Sequence, residues 1–409
     1  MAGKKIVMRA SPQAIEEKRR TRGSAILVTG GTGLIGSHLV AKLCRTGYRV
    51  IAIARPNKQM TGQERINRLL DWFGLDSPAR SRIEILEGHL DDPDLGLDST
   101  RYRQLAEDID EIVHCASDTS FSERKRAQVE KANVANLENV LELASRSTCC
   151  FFHHISTAYA AGKNGGRPCK EDLVETGAFT NVYEETKHRA EWIATKRCAS
   201  EGIRLNIYRP SIVHGDSKTG RTIRFNALYY PIRTILFFKN LYEKDIVTNS
   251  GRNAEKMGVY IDRDGIIHLP IRVKVAAFGG INLIPVDYFV EAFMAIMEDC
   301  LEGGIFHIVN TRTRPIEEII DYVRRLFRVA GIRVVPCEDR ANLPRNGLEV
   351  LFDHYIRVYE PYIRDTRIFE NSRAEAILKK RNIACPEFDY DAFSKCMQYA
   401  VDVDWGTRL

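Results

Sequence analysis

The sequence predicts an α/β fold, a doubly wound parallel sheet of about seven strands with a smaller, mostly helical C-terminal lobe. Three observations carry that reading. Residues 25–45 run as a short apolar strand (AILVT), a glycine turn (TGGTGLIG, Thr29–Gly36) and a helix whose apolar positions Leu39, Val40 and Leu43 recur at helical spacing. Strand-like segments then alternate with helical ones to about residue 310, as in sheets whose parallel strands are joined by crossover helices. A chain of 409 residues, 44% of them hydrophobic, can also bury the core such a sheet needs.

Taken in order, residues 1–23 form a basic extension, dense in cations from Lys4 to Arg22, with no apolar core of a secretory signal. It reads as a mobile leader or a capping helix that could touch an anionic surface. The strands are expected at Ala25–Thr29, Arg49–Ala54, Ile83–Glu87, Glu111–His114, Cys150–Ile155, Arg204–Arg209 and Ile305–Val309, each a short run of apolar and β-branched residues. Helices are expected at Ser37–Arg45, Gln63–Phe73, Val129–Ala144 and Val182–Glu201. Residues 24–215, with 283–310 returning, make the sheet domain. Residues 216–282 and 311–409 loosen into irregular and helical patterns, with Tyr355, Tyr359 and Tyr362 about a helical turn apart, and make the second lobe.

The glycine turn has a physical purpose. Gly30 allows a tight turn, Gly33 leaves room for phosphates and Gly36 lets the helix pack on the sheet, while the first N–H groups of the helix point at an anion. Thr29, Thr32, Leu34 and Ile35 complete this stretch as cofactor-facing positions. The second strand ends in Arg55, where a site for NADH usually carries an acidic residue roughly 20 positions after the glycines. A guanidinium suits a 2′-phosphate, so NADPH is expected ahead of NADH, although an arginine at a strand end can also be a plain surface cation.

The chemistry is expected from YEETK, Tyr183–Lys187, together with Thr157 in HHISTAYAAG. A carbonyl that accepts hydride develops negative charge on oxygen, and a donor must sit about 3 Å away with a proton it can release. Tyr183 is a phenol that normally titrates at about 10. Lys187 lies one helical turn along, and its ammonium, with an oxidised nicotinamide, would lower that value. Thr157 offers a hydroxyl to hold the carbonyl. Ser156 is its neighbour and, by strand alternation, should face the other way. The bland alternative is a half-buried helix tyrosine with a solvated lysine.

Six ordered motifs then carry a resemblance: TGGTGLIG, VHCAS at Val113–Ser117, STAY at Ser156–Tyr159, YEETK, RPSIVHG at Arg209–Gly215 and LIPVDYFVEA at Leu283–Ala292. Together they resemble the extended short-chain dehydrogenase/reductase superfamily. RINRLLDWFG at Arg65–Gly74 and the PVDY segment are most similar to its thioester reductase and fatty acyl-CoA reductase branch, the male-sterility type. The likeness runs from about Ser24 to Asn310. It implies a Rossmann core, the Thr157, Tyr183 and Lys187 set, and cofactor contacts from Cys115, Ala116 and Ser117 through the backbone, Ile155, Pro210, Ser211 and Val213. Ser211 could equally serve a turn. Asn133 matches a family asparagine that supports the active-site helix and a water relay, or it is purely structural.

One departure stands out. Relatives usually read Gly-Asp after the third strand, with the carboxylate on the adenine amine, whereas this chain has Gly88 and His89, then Leu90 and Asp91. His89 could supply a hydrogen bond, or Asp91 could substitute.

On this reading the protein is an NADPH-dependent reductase of an acyl thioester, held on coenzyme A or a carrier protein, giving an aldehyde and in some cases an alcohol. Alternatives on the same scaffold are a sugar-nucleotide epimerase, a hydroxysteroid-type dehydrogenase or another carbonyl reductase. A non-catalytic NADP(H)-binding regulator is a further alternative, against which the retained Tyr and Lys count. Arg224–Tyr242 mixes aromatic, aliphatic and basic residues and reads as the cover of an acyl channel, with Arg221, Arg224 or Arg233 meeting phosphates, or equally as a helix in the core or at a dimer contact. The net charge of +6 is spread along the chain, so nucleic acid is not expected. Ten cysteines without CxxC or metal-type spacing suggest reduced thiols, a cytoplasmic location and no metal. No apolar run reaches the length of a membrane span, leaving peripheral contact as the conceivable membrane role.

Overall fold

The computed structural model describes residues 9, 11–163, 166–175, 177–276, 280–337 and 344–408. Two compact units emerge. The first comprises residues 1–211, 286–309 and 369–384, and the second residues 212–285, 310–368 and 385–409. Residues 369–384, expected in the lobe, thus belong with the sheet.

The first unit is built on a seven-stranded, wholly parallel sheet. Six strands come in sequence: β1 Ala25–Thr29, β2 Arg49–Ala54, β3 Ile83–Glu87, β4 Glu111–His114, β5 Phe151–Ile155 and β6 Arg204–Pro210. The seventh is Gly304–Ile308, outside β6. From that edge the order continues β6, β5, β4, β1, β2, β3. The chain therefore starts in the middle, with Val28 beside Ala52 on one flank and Val113 on the other. The chain moves outward from β1 through β2 to β3 and then crosses back to β4 on the other side, so the strand order reverses between β1 and β4, the place where such sheets bind ligands at their carboxyl ends. The Rossmann-type α/β expectation holds, with strand limits shifted by at most one residue. Strand β5 starts at Phe151, and the N–H of Cys150 just before it bonds the Asp110 carbonyl at 2.8 Å.

Helices cover both faces. The helix expected at Val129–Ala144 is longer, with α-helical Arg126–Glu130 and Asn136–Arg146 flanking a π-helical turn, Lys131–Ala135. Such turns are often found at functional sites. This one carries Asn133.

The N-terminal extension resolves into a capping helix, Pro12–Arg20. Its Arg19 is 2% exposed and forms a bidentate pair with the fully buried Glu111 at the start of β4, with Nη2 to Oε2 at 2.7 Å. His153 completes the pair, its Nε2 2.9 Å from the same carboxylate and its Nδ1 2.9 Å from the Tyr208 hydroxyl. A buried charge needs partners of this kind on every side.

The second unit has its own core, around Tyr229, Ile232, Ile235, Phe238, Ile267, Leu269, Leu348, Phe352, Phe393 and Met397. Its strands are short: Ile212–His214 pairs with Leu283–Pro285, and Arg272–Val275 with Arg333–Pro336. The Arg224–Tyr242 segment becomes mainly helix, Tyr229–Thr248, with one face in this core and Phe237 and Leu241 about half exposed. Among the described residues no helix is long and apolar enough to cross a membrane.

Candidate active site

The glycine turn links β1 to the Leu34–Arg45 helix. Gly30 has φ +72°, and a Cβ there would sit 2.5 Å from the Ala116 nitrogen, so the β4 loop and the turn touch backbone to backbone. Gly36 is required for a different reason from the one expected: a Cβ would lie 2.2 Å from the Gly30 carbonyl, so the helix packs on the turn itself. The helix starts at Gly33 without a side-chain cap, which leaves its first N–H groups to an external acceptor. Thr32, Gly33, Leu34 and Ile35 are partly exposed there. These are the features a pyrophosphate needs, and the residues fit it.

Thr29 departs from expectation. Its side chain is fully buried, with Oγ1 2.9 Å from His114 Nδ1, and its carbonyl accepts from the Cys115 N–H at 3.1 Å. Both groups are spent inside the protein, so Thr29 braces the turn from behind.

At the end of β2, Arg55 is exposed. Sequence reasoning missed its companion. Arg65, on the Gly62–Trp72 helix, donates to the Arg55 carbonyl at 2.6 Å and to Thr32 Oγ1 at 3.1 Å, bridging the strand end and the glycine turn. The signal available was a second cation ten positions after Arg55, on the first turn of a helix.

After β3, His89 is partly exposed, its N–H bonded to the Leu95 carbonyl at 2.8 Å, while the Leu90 carbonyl accepts from Asn139 at 2.8 Å. Asp91 pairs with Lys131 at 2.7 Å, a bond that holds its carboxyl below the usual range. That carboxylate is committed within the protein.

Around the catalytic candidates the packing is tight. Tyr183 and Lys187 lie on the first turns of the Val182–Glu201 helix, which Asn181 caps by accepting from the Glu184 N–H. Burial raises the Tyr183 phenol well above its ordinary value, while a hydrogen bond with Thr157 opposes the rise. Lys187 is not among the groups that shift it, so in the protein alone the expected acidification of the phenol is absent. Burial instead lowers Lys187 itself to about 8, against the neighbouring Cys115 and Glu191. Its Nζ donates to the Ile155 carbonyl at 2.7 Å.

Thr157 is 5% exposed, and its Oγ1 lies 3.5 Å from the Pro210 carbonyl. Ser156 points elsewhere, with Oγ donating to Glu191 at 2.5 Å. The alternation between the two is therefore physical, and Thr157 is the hydroxyl beside Tyr183. Burial pushes the Cys115 thiol up to about 12.

Asn133 ties the β4 loop to the same helix. Its Oδ1 accepts from Ser117 Oγ at 2.9 Å and the Asp118 N–H at 2.8 Å, and its Nδ2 donates to the Asp118 carbonyl and Thr186 Oγ1, both at 3.0 Å. Both polar atoms of the amide are used, and these bonds tie the Val182–Glu201 helix to the loop. Ser211 is 6% exposed, with a hydroxyl that has no partner among the described residues. Val213 lies in the second unit, on the strand paired with Leu283–Pro285.

A crevice at the ends of parallel strands, a glycine turn shaped for a pyrophosphate and a Tyr/Lys/Thr set define a nucleotide-dependent oxidoreductase of the short-chain dehydrogenase/reductase type. Residues 28–293 match the family model described as Male sterility protein, and the chain belongs to that nicotinamide dinucleotide-binding family. It is 24% identical over 384 residues to one component of the linear gramicidin synthase of Brevibacillus parabrevis, covering 92% of this chain and 7% of that protein. It is 32% identical over 228 residues to fatty acyl-CoA reductase 1 of Gallus gallus, covering 47% of this chain and 43% of that one. The chain thus spans less than half the length of either relative. In fold it is similar to the terminal R domain of the myxalamid PKS-NRPS pathway, with a TM-score of 0.72, 22% identity, and coverage of 94% of this chain and 92% of that domain. It also resembles a thiolation-reductase di-domain from an archaeal non-ribosomal peptide synthetase, with a TM-score of 0.69, 17% identity, and coverage of 97% and 80%.

Proposed function

We propose that the protein is an NADPH-dependent reductase of an acyl thioester, carried on coenzyme A or on a carrier protein, that releases an aldehyde. The observation that carries this reading is the hydrogen bond of Tyr183 with Thr157 together with the approach of Lys187 to Cys115 in the β4 loop, in a chain of the male sterility family. The likeness to reductase domains of peptide synthetases supports a carrier-bound thioester, and that to an acyl-CoA reductase supports coenzyme A.

Gly30, Gly33 and the first turn of the Leu34–Arg45 helix would hold the pyrophosphate, Arg55 and Arg65 the 2′-phosphate, and Lys187 the nicotinamide ribose. When bound, the dinucleotide supplies hydride. Thr157 and Tyr183 then hold the carbonyl oxygen as it gains negative charge, and the Tyr183 hydroxyl gives it a proton. The C–S bond breaks and the thiol leaves, so the overall change is thioester plus hydride plus proton to aldehyde plus thiol. Lys187 places a cation near the phenolate that remains. No step requires a cysteine nucleophile. The aldehyde is itself a carbonyl that the same groups can reduce.

The test is anaerobic incubation with NADPH and a panel of acyl thioesters on coenzyme A and on carrier protein, following NADPH loss and weighing the product. Aldehyde or alcohol from a thioester is the expected result. Oxidation with sugar nucleotides or simple ketones alone would overturn the thioester reading in favour of an epimerase or dehydrogenase.

A further inference from the structure

We propose that Glu191, clamped between Ser156 and Arg209, is a positioning residue that sets the charge of Lys187 and the place of Thr157. This inference rests on the reductase reading above. All three clamp residues are buried, Glu191 and Arg209 with no exposed surface and Ser156 with 2%. Glu191 Oε1 accepts from Ser156 Oγ at 2.5 Å and from Arg209 Nε at 2.9 Å, and its Oε2 accepts from Arg209 Nη2 at 2.6 Å. Arg209 is held in turn, its Nη1 reaching the Lys170 carbonyl at 3.3 Å and His307 Nε2 at 3.2 Å. His307 Nδ1 lies 2.6 Å from the Glu370 carbonyl, which fixes the tautomer that accepts from the arginine.

Each member of the clamp is one step from a catalytic candidate. Ser156 precedes Thr157. Glu191 lies one helical turn beyond Lys187 and two beyond Tyr183. Arg209 precedes Pro210, whose carbonyl accepts from Thr157. The clamp therefore joins the ends of β5 and β6 to the Val182–Glu201 helix, directly behind the reacting groups. A buried ion pair is weak as a stabiliser, because desolvation offsets most of the Coulomb gain, but it fixes geometry strictly.

It also supplies charge. The groups facing Lys187 are Cys115 after β4, His114 on β4, His154 on β5, and Glu191 on its own helix. Burial holds both histidines well below their ordinary range, so they are neutral. Burial also holds the Cys115 thiol and the Tyr183 phenol above theirs. With that thiol neutral, Glu191 is the carboxylate among the described residues that favours the charged lysine.

The experiment uses the full chain with Ser156→Ala and Glu191→Gln, and two readouts: kcat and KM on the thioester panel, and NADPH affinity against pH, which needs no substrate. For Ser156→Ala, kcat should fall about tenfold with KM, NADPH affinity and melting temperature unchanged, as for a small misplacement of Thr157. For Glu191→Gln, the alkaline limb of both kcat and NADPH affinity should move to lower pH, because Lys187 then loses its proton more easily. If both variants keep wild-type kcat and alkaline limb and lose only thermal stability, the clamp is structural and the proposal fails. Should Glu191→Gln not fold, Ser156→Ala decides alone. A wild-type chain that binds NADPH but reduces no thioester would overturn the functional reading, while the alkaline limb of NADPH affinity would still decide the role of Glu191. Absence of nicotinamide binding would end both.

Discussion

Lys187 donates from Nζ to the Ile155 carbonyl at 2.7 Å, burying its ammonium between the helix it belongs to and the end of β5. Burial lowers this group from 10.5 to about 8. Because the unfolded chain binds the proton more tightly, the lysine opposes folding below about pH 8, and the penalty fades as pH rises toward 10.5. Lys187→Met should therefore gain about 1–3 kcal/mol of stability near neutral pH, once the lost bond to Ile155 is allowed for, and lose turnover. Urea unfolding at neutral and strongly alkaline pH checks it: the gain must shrink at the higher pH, and a loss of stability at neutral pH would refute the account.

Tyr183→Phe removes only the phenolic oxygen from the helix. Turnover should fall by about 10²- to 10⁴-fold with NADPH affinity intact. Single-turnover kinetics with a thioester substrate measures the first, and fluorescence titration the second. Wild-type turnover would eliminate the mechanism.

Arg65 bridges Thr32 and the Arg55 carbonyl, where a ribose 2′-phosphate would lie against two guanidinium groups. Arg65→Ala should raise KM for NADPH about 10- to 100-fold, the value of one charge-assisted contact, while leaving KM for NADH nearly constant. Equal effects on both cofactors would assign Arg65 to the glycine turn instead.

Glu111 is desolvated by burial, yet Arg19 and His153 outweigh that and hold it at about 2, below its ordinary 4.5. Its carboxylate contributes stability that is complete above about pH 4.5 and is lost as pH falls toward 2. Arg19→Met strands the charge and should cost about 3–5 kcal/mol, with acid unfolding beginning at a higher pH. Removing residues 1–23 should do the same. Circular dichroism against pH reads both, and a truncated chain as acid-stable as the whole would contradict the capping role of the Pro12–Arg20 helix.

Much of the sheet was legible because its strands are short apolar runs separated by turn residues, a local signal that survives without tertiary knowledge. Boundaries moved by one residue, as at Cys150, because a strand end is set by its neighbours in the sheet as much as by its own residues. Arg65 and Glu191 were not legible in the same way. Each is one charged residue on a helix rich in them, and only the fold shows that one reaches the glycine turn while the other is sealed behind Thr157. Thr29 misled for the converse reason: it sits within the motif, but its hydroxyl is consumed by His114 from the neighbouring strand.

The sequence by itself determined the doubly wound sheet and the glycine turn, and it pointed to Thr157, Tyr183 and Lys187 as candidates, because local periodicity, turn chemistry and helical spacing are properties of neighbours in the chain. Tertiary structure alone decided that Ser156 is spent on Glu191, that burial brings Lys187 down to about 8, and that residues 369–384 belong with the sheet. Those outcomes depend on desolvation and on partners more than a hundred residues apart in some cases, and neither is written in any short stretch of residues.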